Sequence, residues 1–117
     1  MGEWKGENLT EMLDREFAGL DEWAVADETY QIYRDFYNTV FTPGALDGKT
    51  QSLIALAINL VANTEYCIAY HTRRAIEYGA TEEEIREIAD VALVFGGAPT
   101  SAAGATWLRE ALATFGK

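Results

Sequence analysis

Residues 47–62, Asp47-Gly48-Lys49-Thr50-Gln51-Ser52-Leu53-Ile54-Ala55-Leu56-Ala57-Ile58-Asn59-Leu60-Val61-Ala62, decide the fold. From Leu53 onward the segment is apolar nearly all the way round a helix, and a helix of that kind is expected to be buried among others. Downstream, Asn63 or Thr64 can cap a second helix running from Glu65 to Tyr78, with Gly79 closing it in left-handed geometry. Thr81-Glu82-Glu83-Glu84 then reads as a capping box, with Ile85, Ile88, Ala89, Ala92, Leu93 and Phe95 as the apolar stripe behind it. Gly96-Gly97-Ala98-Pro99 ends that helix, and a last amphipathic helix is expected from about Thr100 to Phe115. Upstream, Leu9, Met12, Leu13, Phe17 and Leu20 carry helical spacing behind an Asn8 cap, with Gly19 and Asp21 as the expected stop. Tyr30, Tyr33, Phe36, Tyr37, Val40 and Phe41 repeat that spacing as an aromatic ridge, halted by Thr42-Pro43-Gly44. No alternating strand pattern or internal repeat interrupts the series. The fold class is all-α, a compact subunit of about six helices.

Composition narrows the function. The chain has 117 residues, 49% hydrophobic and 24% charged. At that length it should bury roughly 65% of its unfolded surface, enough for one core, so residues 1–117 are read as one domain with 1–7 frayed. Nineteen acidic residues against nine basic ones give a net charge of −10. Such a field repels phosphate backbones and anionic bilayers, so neither nucleic acid nor membrane is an expected partner. The longest apolar run, Leu53 to Ala62, is about half a bilayer span, and no basic-apolar leader opens the chain. A single Cys67 cannot form an internal disulfide, so the cytoplasm is the expected compartment. Three Trp, six Tyr and five Phe are more large apolar surface than so small a core absorbs, which points to a homo-oligomer with the aromatic ridge as interface.

The chain's one Cys and one His stand four residues apart on the same predicted helix. At 100° per residue Cys67, His71, Arg74 and Tyr78 fall within an arc of about 60°, beside an apolar arc of Ile68, Thr72, Ala75 and Ile76. Cys67 lies near the helix start, where the positive dipole end favours a thiolate, so its thiol is expected to be more acidic than free Cys. His71, one turn on, can take the thiol proton or balance the anion. Arg74 and Tyr78 on the same stripe are the candidates for holding a substrate. A metal would need third and fourth ligands that no spaced His or Cys supplies, so no metal or other cofactor is expected. Thr81 and Glu84 are read as structural caps, and Gly96-Gly97 as a tight turn rather than a phosphate loop.

Taken together, Leu46-Asp47-Gly48-Lys49-Thr50, Thr64-Glu65-Tyr66-Cys67-Ile68-Ala69-Tyr70-His71, Gly79-Ala80-Thr81-Glu82-Glu83-Glu84-Ile85 and Gly96-Gly97 resemble the carboxymuconolactone decarboxylase and alkylhydroperoxidase D-like family over about residues 43–97. The resemblance implies an all-α subunit that assembles into trimers or hexamers, with the active helix near a subunit boundary. Its reductase and peroxidase members carry Cys-x-x-Cys-x-x-x-His on this helix and a Glu on the preceding one. Here Thr64 stands at the first Cys position and Ser52 at the Glu position, while Cys67 and His71 match. Without the partner thiol a dithiol cycle is closed. The expected function is therefore a single-cysteine, thiol-dependent peroxidase, in which Cys67 attacks a small peroxide and an external thiol reductant restores it. Two alternatives stand beside it: a decarboxylase-like enzyme acting on a small carboxylated lactone with His71 as acid and base, and a non-catalytic oligomeric binding protein.

Overall fold

Capping side chains set most of the helix boundaries in the computed structural model, which describes residues 8–116. The frayed stretch expected at 1–7 lies outside the described residues. Helix α1 (Leu9–Ala26) starts behind Asn8, whose side-chain oxygen accepts from the Glu11 backbone N–H at 2.8 Å while Glu11 reaches back to the Asn8 N–H. Asp27 separates α1 from α2 (Glu28–Val40) and accepts from the Thr29 N–H. Asp47 caps α3 (Gly48–Ala62) through the Thr50 N–H at 2.8 Å. Helix α3 ends on Asn63, held at φ 62°, a left-handed conformation that Asn tolerates better than most residues. Helix α4 (Glu65–Glu77) follows and closes at Gly79, φ 95°, as expected. The expected capping box of Thr81 and Glu84 opens α5 (Glu82–Gly96). The Lys49 ammonium adds a 2.9 Å ion pair to Glu84, tying the start of α3 to that of α5.

The C-terminal segment begins at α6 (Ala98–Ala103), passes through a π-helical turn at Gly104–Leu108 and ends in α7 (Arg109–Phe115). Its junction residues all keep right-handed helical angles, so it is one rod with a wider turn inside it. The described residues therefore form six helical rods and no strand.

Helix α4 is the central element. On one side Ile68 and Ala75 join Leu56 and Leu60 of α3, Ile85 and Ala92 of α5 and Leu108 of the last rod in the main core. On the other side Ala69 meets Leu9, Met12 and Leu13 of α1 and Ala111 of α7. Cys67, Tyr70 and His71 occupy the positions next to this second packing, where α1 and α2 approach α4.

Three boundary and burial expectations need correction. Helix α1 does not stop at Gly19 or Asp21 but runs on to Ala26. A single helical Gly costs only about 1 kcal/mol, and Trp23 stacked on Tyr30 together with Asp21 accepting from Arg34, both partners on α2, reward the extra turns. Helix α3 is not buried all round: Ile54 and Ile58 are 46% and 61% exposed, because α4, α5 and α6 cover only part of its surface. The last rod starts two residues before Thr100, with Pro99 in its first turn, where a missing N–H costs nothing. It also contains the π turn that the periodicity did not foresee.

Candidate active site around Cys67

Helices α1, α2 and α4 enclose a cavity of about 230 Å³ whose wall includes Glu16, Tyr33, Arg34, Tyr37, Cys67 and Tyr70. An engineered cavity of about 150 Å³ accommodates benzene, so this one has room for a small organic molecule. The aromatic ridge on α2 thus lines a cavity with Tyr30, Tyr33 and Tyr37, while its other face, with Ile32 and Phe36, is exposed at 68% and 64%.

Cys67 is the third residue of α4, at the dipole's positive end as expected, and its thiol is half-buried in the cavity wall. The expected acidity does not follow. Burial pushes the thiol above its ordinary value and the Glu16 carboxylate adds to the rise, against one opposing hydrogen bond with Thr64. A helix start shifts a charge by a fraction to about 1 kcal/mol, and desolvation in a three-helix junction exceeds that.

His71 is buried, 3% exposed, with its Nε2 3.1 Å from the Tyr37 hydroxyl and its Nδ1 buried without a partner. Phe41 and Tyr70 pack their rings 5.3 and 4.9 Å from the imidazole. Burial, and then the charge of Arg74, hold its pKa down at about 4, so the ring is neutral at pH 7. The histidine therefore cannot serve as a resting imidazolium beside a thiolate. Its polar contact is a phenol, which burial holds well above the usual tyrosine range.

His71, Arg74 and Tyr78 are not among the residues lining the cavity, and His71 meets its wall through Tyr37. Arg74 donates to Ser52 Oγ at 3.0 Å and to the Phe41 carbonyl oxygen at 2.7 Å, with its guanidinium 4.9 Å from the Tyr78 ring centroid and 5.1 Å from that of Phe41. Tyr78 lies so close to Gly48 that a Cβ there would overlap its ring, which is why α3 can begin with glycine against it. The pair splices α3, α4 and the end of α2 rather than facing the cavity. Arg73 packs over Tyr70 and Phe115. Among the described residues that line the cavity the cation is Arg34, whose Nη2 donates to Asp21 at 3.0 Å while its Nη1 is buried without a partner.

Glu16 and Tyr37 are site residues that sequence reasoning missed. Glu16 sits on the polar flank of an amphipathic helix, and nothing local distinguishes it from a solvated acid. In the structure it is half-buried, its Oε1 has no partner, and burial raises its pKa. Buried polar atoms without partners are uncommon and cost about 1–3 kcal/mol each, so three of them around one junction mark a place where stability gives way to chemistry. For Tyr37 the signal was its place on the aromatic ridge, which spacing alone assigns to a face but not to a partner. Among the described residues no group of three or more His, Cys, Asp or Glu side chains is placed to hold a metal ion.

The chain superposes on a carboxymuconolactone decarboxylase family protein from Legionella pneumophila with a TM-score of 0.79 at 28% identity, over 93% of this chain and 95% of the other. A Thermotoga maritima member of that family, with a suggested involvement in antioxidative response, gives a TM-score of 0.74 at 31% identity over 85% and 88%. In sequence, an uncharacterized protein of Cupriavidus necator is 28% identical over 92% of this chain and 88% of its own length. The sequence profile of the carboxymuconolactone decarboxylase family matches residues 27–110, from the Asp27 cap into α7, and leaves Glu16 outside the match. With that profile covering most of its length and its helical framework shared with solved members, the chain belongs to the carboxymuconolactone decarboxylase family.

Proposed function

We propose that the protein is a single-cysteine peroxidase that reduces small organic hydroperoxides at Cys67 and is restored by an external thiol. The observation that carries this reading is the cavity itself. It brings a thiol, a half-buried carboxyl and a histidine-bonded phenol to one aromatic-walled junction. The suggested antioxidative involvement of the Thermotoga relative supports it.

The site works differently from a preformed thiolate. Glu16 takes the thiol proton, and the Cys67 sulfur attacks the outer peroxide oxygen. The O–O bond breaks, sulfenic acid forms, and the departing alkoxide receives the proton back from Glu16. One external thiol then forms a mixed disulfide with loss of water, and a second releases Cys67 as thiol with an external disulfide. Neutral His71 holds Tyr37 in the wall beside the sulfur, making it a positioning residue. The exposed faces of α2 and α3 suit burial against further copies of the chain, in line with the trimer or hexamer that the resemblance implies.

A brief pulse of hydroperoxide followed by sulfenic acid trapping and mass spectrometry tests the reading. Cys67 is expected to be trapped, to be rescued by added thiol, and to lose all peroxide consumption as Cys67→Ser. Its alkylation should have a midpoint above the free-thiol value of about 8.5. Cys67 left unmodified until the protein unfolds would overturn the proposal.

A further inference from the structure

The aromatic rings that lead away from the cavity have an arrangement that two-electron peroxide chemistry does not use. Trp23 of α1 and Tyr30 of α2 stack with centroids 4.0 Å apart and planes 4° from parallel. Tyr30 is 5.7 Å from Tyr33, and Tyr33 is 6.5 Å from Tyr37. Tyr37 shares the cavity wall with Cys67, and Trp23 at the other end is 53% exposed. Each end also carries a proton acceptor. The Tyr37 hydroxyl is 3.1 Å from His71 Nε2, and the Trp23 indole N–H donates to Asp27 Oδ2 at 3.3 Å.

We propose that Trp23, Tyr30, Tyr33 and Tyr37 form a conduit that carries single-electron oxidising equivalents out of the Cys67 cavity to the surface at Trp23. A phenol near neutral pH gives up an electron readily only if its proton leaves with it, and an indole radical cation likewise sheds its N–H proton. The two terminal rings are the ones bonded to side chains able to take that proton, while Tyr33, 54% exposed, and the partly exposed Tyr30 between them can pass theirs to water.

The oxidant is a Cys67 thiyl radical or an oxygen-centred radical formed in the cavity. In the first step the sulfur radical gains one electron from Tyr37, whose phenol proton moves to His71 Nε2 in the tautomer with hydrogen on Nδ1. The products are thiolate, imidazolium and neutral tyrosyl radical. His71, held down at about 4, keeps that proton only until the hole leaves Tyr37 and then returns it to the phenol, while the thiolate, whose burial favours the protonated form, takes a proton from solvent and is a thiol again. The charged and titratable groups facing this exchange are Glu16 from α1, Arg34, Tyr30 and Tyr33 from α2, and Tyr66, Tyr70 and Arg74 from α4. The hole then moves along α2 to Trp23, which Asp27 deprotonates, and a soluble one-electron reductant such as ascorbate returns the electron while the indole regains its proton. The conduit does not depend on the peroxidase reading, since any one-electron oxidant at Cys67 would feed it.

Cys67 is the chain's single thiol, so S-nitrosation loads it alone and light then releases nitric oxide and leaves the thiyl radical in place. In air, peptide mass spectrometry of the full chain should find oxidised Trp23 several-fold in excess of oxidised Trp4 or Trp107. Tyr37→Phe should lower Trp23 oxidation several-fold and raise sulfonic acid at Cys67. Trp23→Phe should lengthen the life of the tyrosyl signal seen by freeze-quench electron paramagnetic resonance, with two-electron reactivity of Cys67 unchanged. Equal damage at the three tryptophans, or a Trp23 yield indifferent to Tyr37→Phe, would overturn the conduit. A second measurement works from the other end and needs no loaded thiol. Photogenerated ruthenium(III) tris-bipyridine oxidises exposed Trp23, whose hole should be shared with stacked Tyr30 as a mixed indole and phenoxyl signal in the wild type and stay on the indole in Tyr30→Leu; identical signals in both would equally refute it.

Discussion

Ile85 on α5 is sealed from solvent, whereas Phe36 on α2, a larger apolar side chain, is 64% exposed. The contrast holds for the regions around them. The layer of α3, α4 and α5 is stitched by aliphatic contacts, the side-chain caps of α3 and α5 and the Lys49–Glu84 pair. The α1–α2 hairpin packs Leu9, Met12 and Leu13 of α1 on Ala69 of α4, but α2 has no fully buried side chain and the rest of the contact consists of rings, a phenol–imidazole contact and polar atoms without partners. Rigidity and chemistry are thus allotted largely to different faces, and α4 and α1 each take part in both.

The sharpest way to break that division is to empty the core. Ile85→Ala should cost about 2–5 kcal/mol, read from the urea midpoint, because neighbours on α3 and α4 cannot collapse into the space. A loss under about 1 kcal/mol would mean that the layer does not dominate stability.

Acid should expose the cost on the other side. His71 has a folded pKa of about 4 against an ordinary 6.5, so the unfolded chain binds the proton first. Stability from this group is complete above about pH 6.5 and is lost as pH falls toward 4, by about 3 kcal/mol at most. Glu16, with its raised pKa, acts in the opposite sense, since protonation relieves the cost of burying its charge. Comparing urea midpoints at pH 7 and 4.5 in wild type and His71→Gln isolates the histidine, and the variant should show the shallower fall.

Thr81→Ala removes one half of the α5 capping box and should cost about 1 kcal/mol, with Cys67 oxidation on the folded fraction unchanged. A drop in reactivity at normal stability would place the cap in the site. Smallest of all, Phe36→Ser should move the stability of an isolated subunit by no more than about 0.5 kcal/mol. If light scattering shows the wild type as a multimer and the variant as single chains, the exposed face of α2 is an interface between copies.

The parts readable in sequence are those written in local chemistry. Asp47, Gly79 and Thr81 mark their helix ends because a cap or a left-handed turn acts over three or four residues. Gly19 misled because the packing that carries α1 past it comes from Tyr30 and Arg34, both on the next helix and outside any local pattern. In the site, periodicity places Cys67 and His71 on one face of α4, but only the approach of α2 reveals that His71 is bonded to Tyr37. Likewise the dipole at the start of α4 is visible in the sequence, while the desolvation that outweighs it depends on where α1 lies.

The π turn at Gly104–Leu108 bears on how the length of this chain can change over generations. A π turn accommodates one residue more than the α-helical turn it replaces, while the flanking segments keep their faces. Loss of a single residue here would restore ordinary helical pitch and leave α6 against α5, and α7 against α1 and α4. A deletion inside α4 would instead swing Cys67 and His71 by about 100° relative to the residues beyond the cut. The last rod is thus a place where a heritable gain or loss of one residue can pass without re-aiming the chemistry.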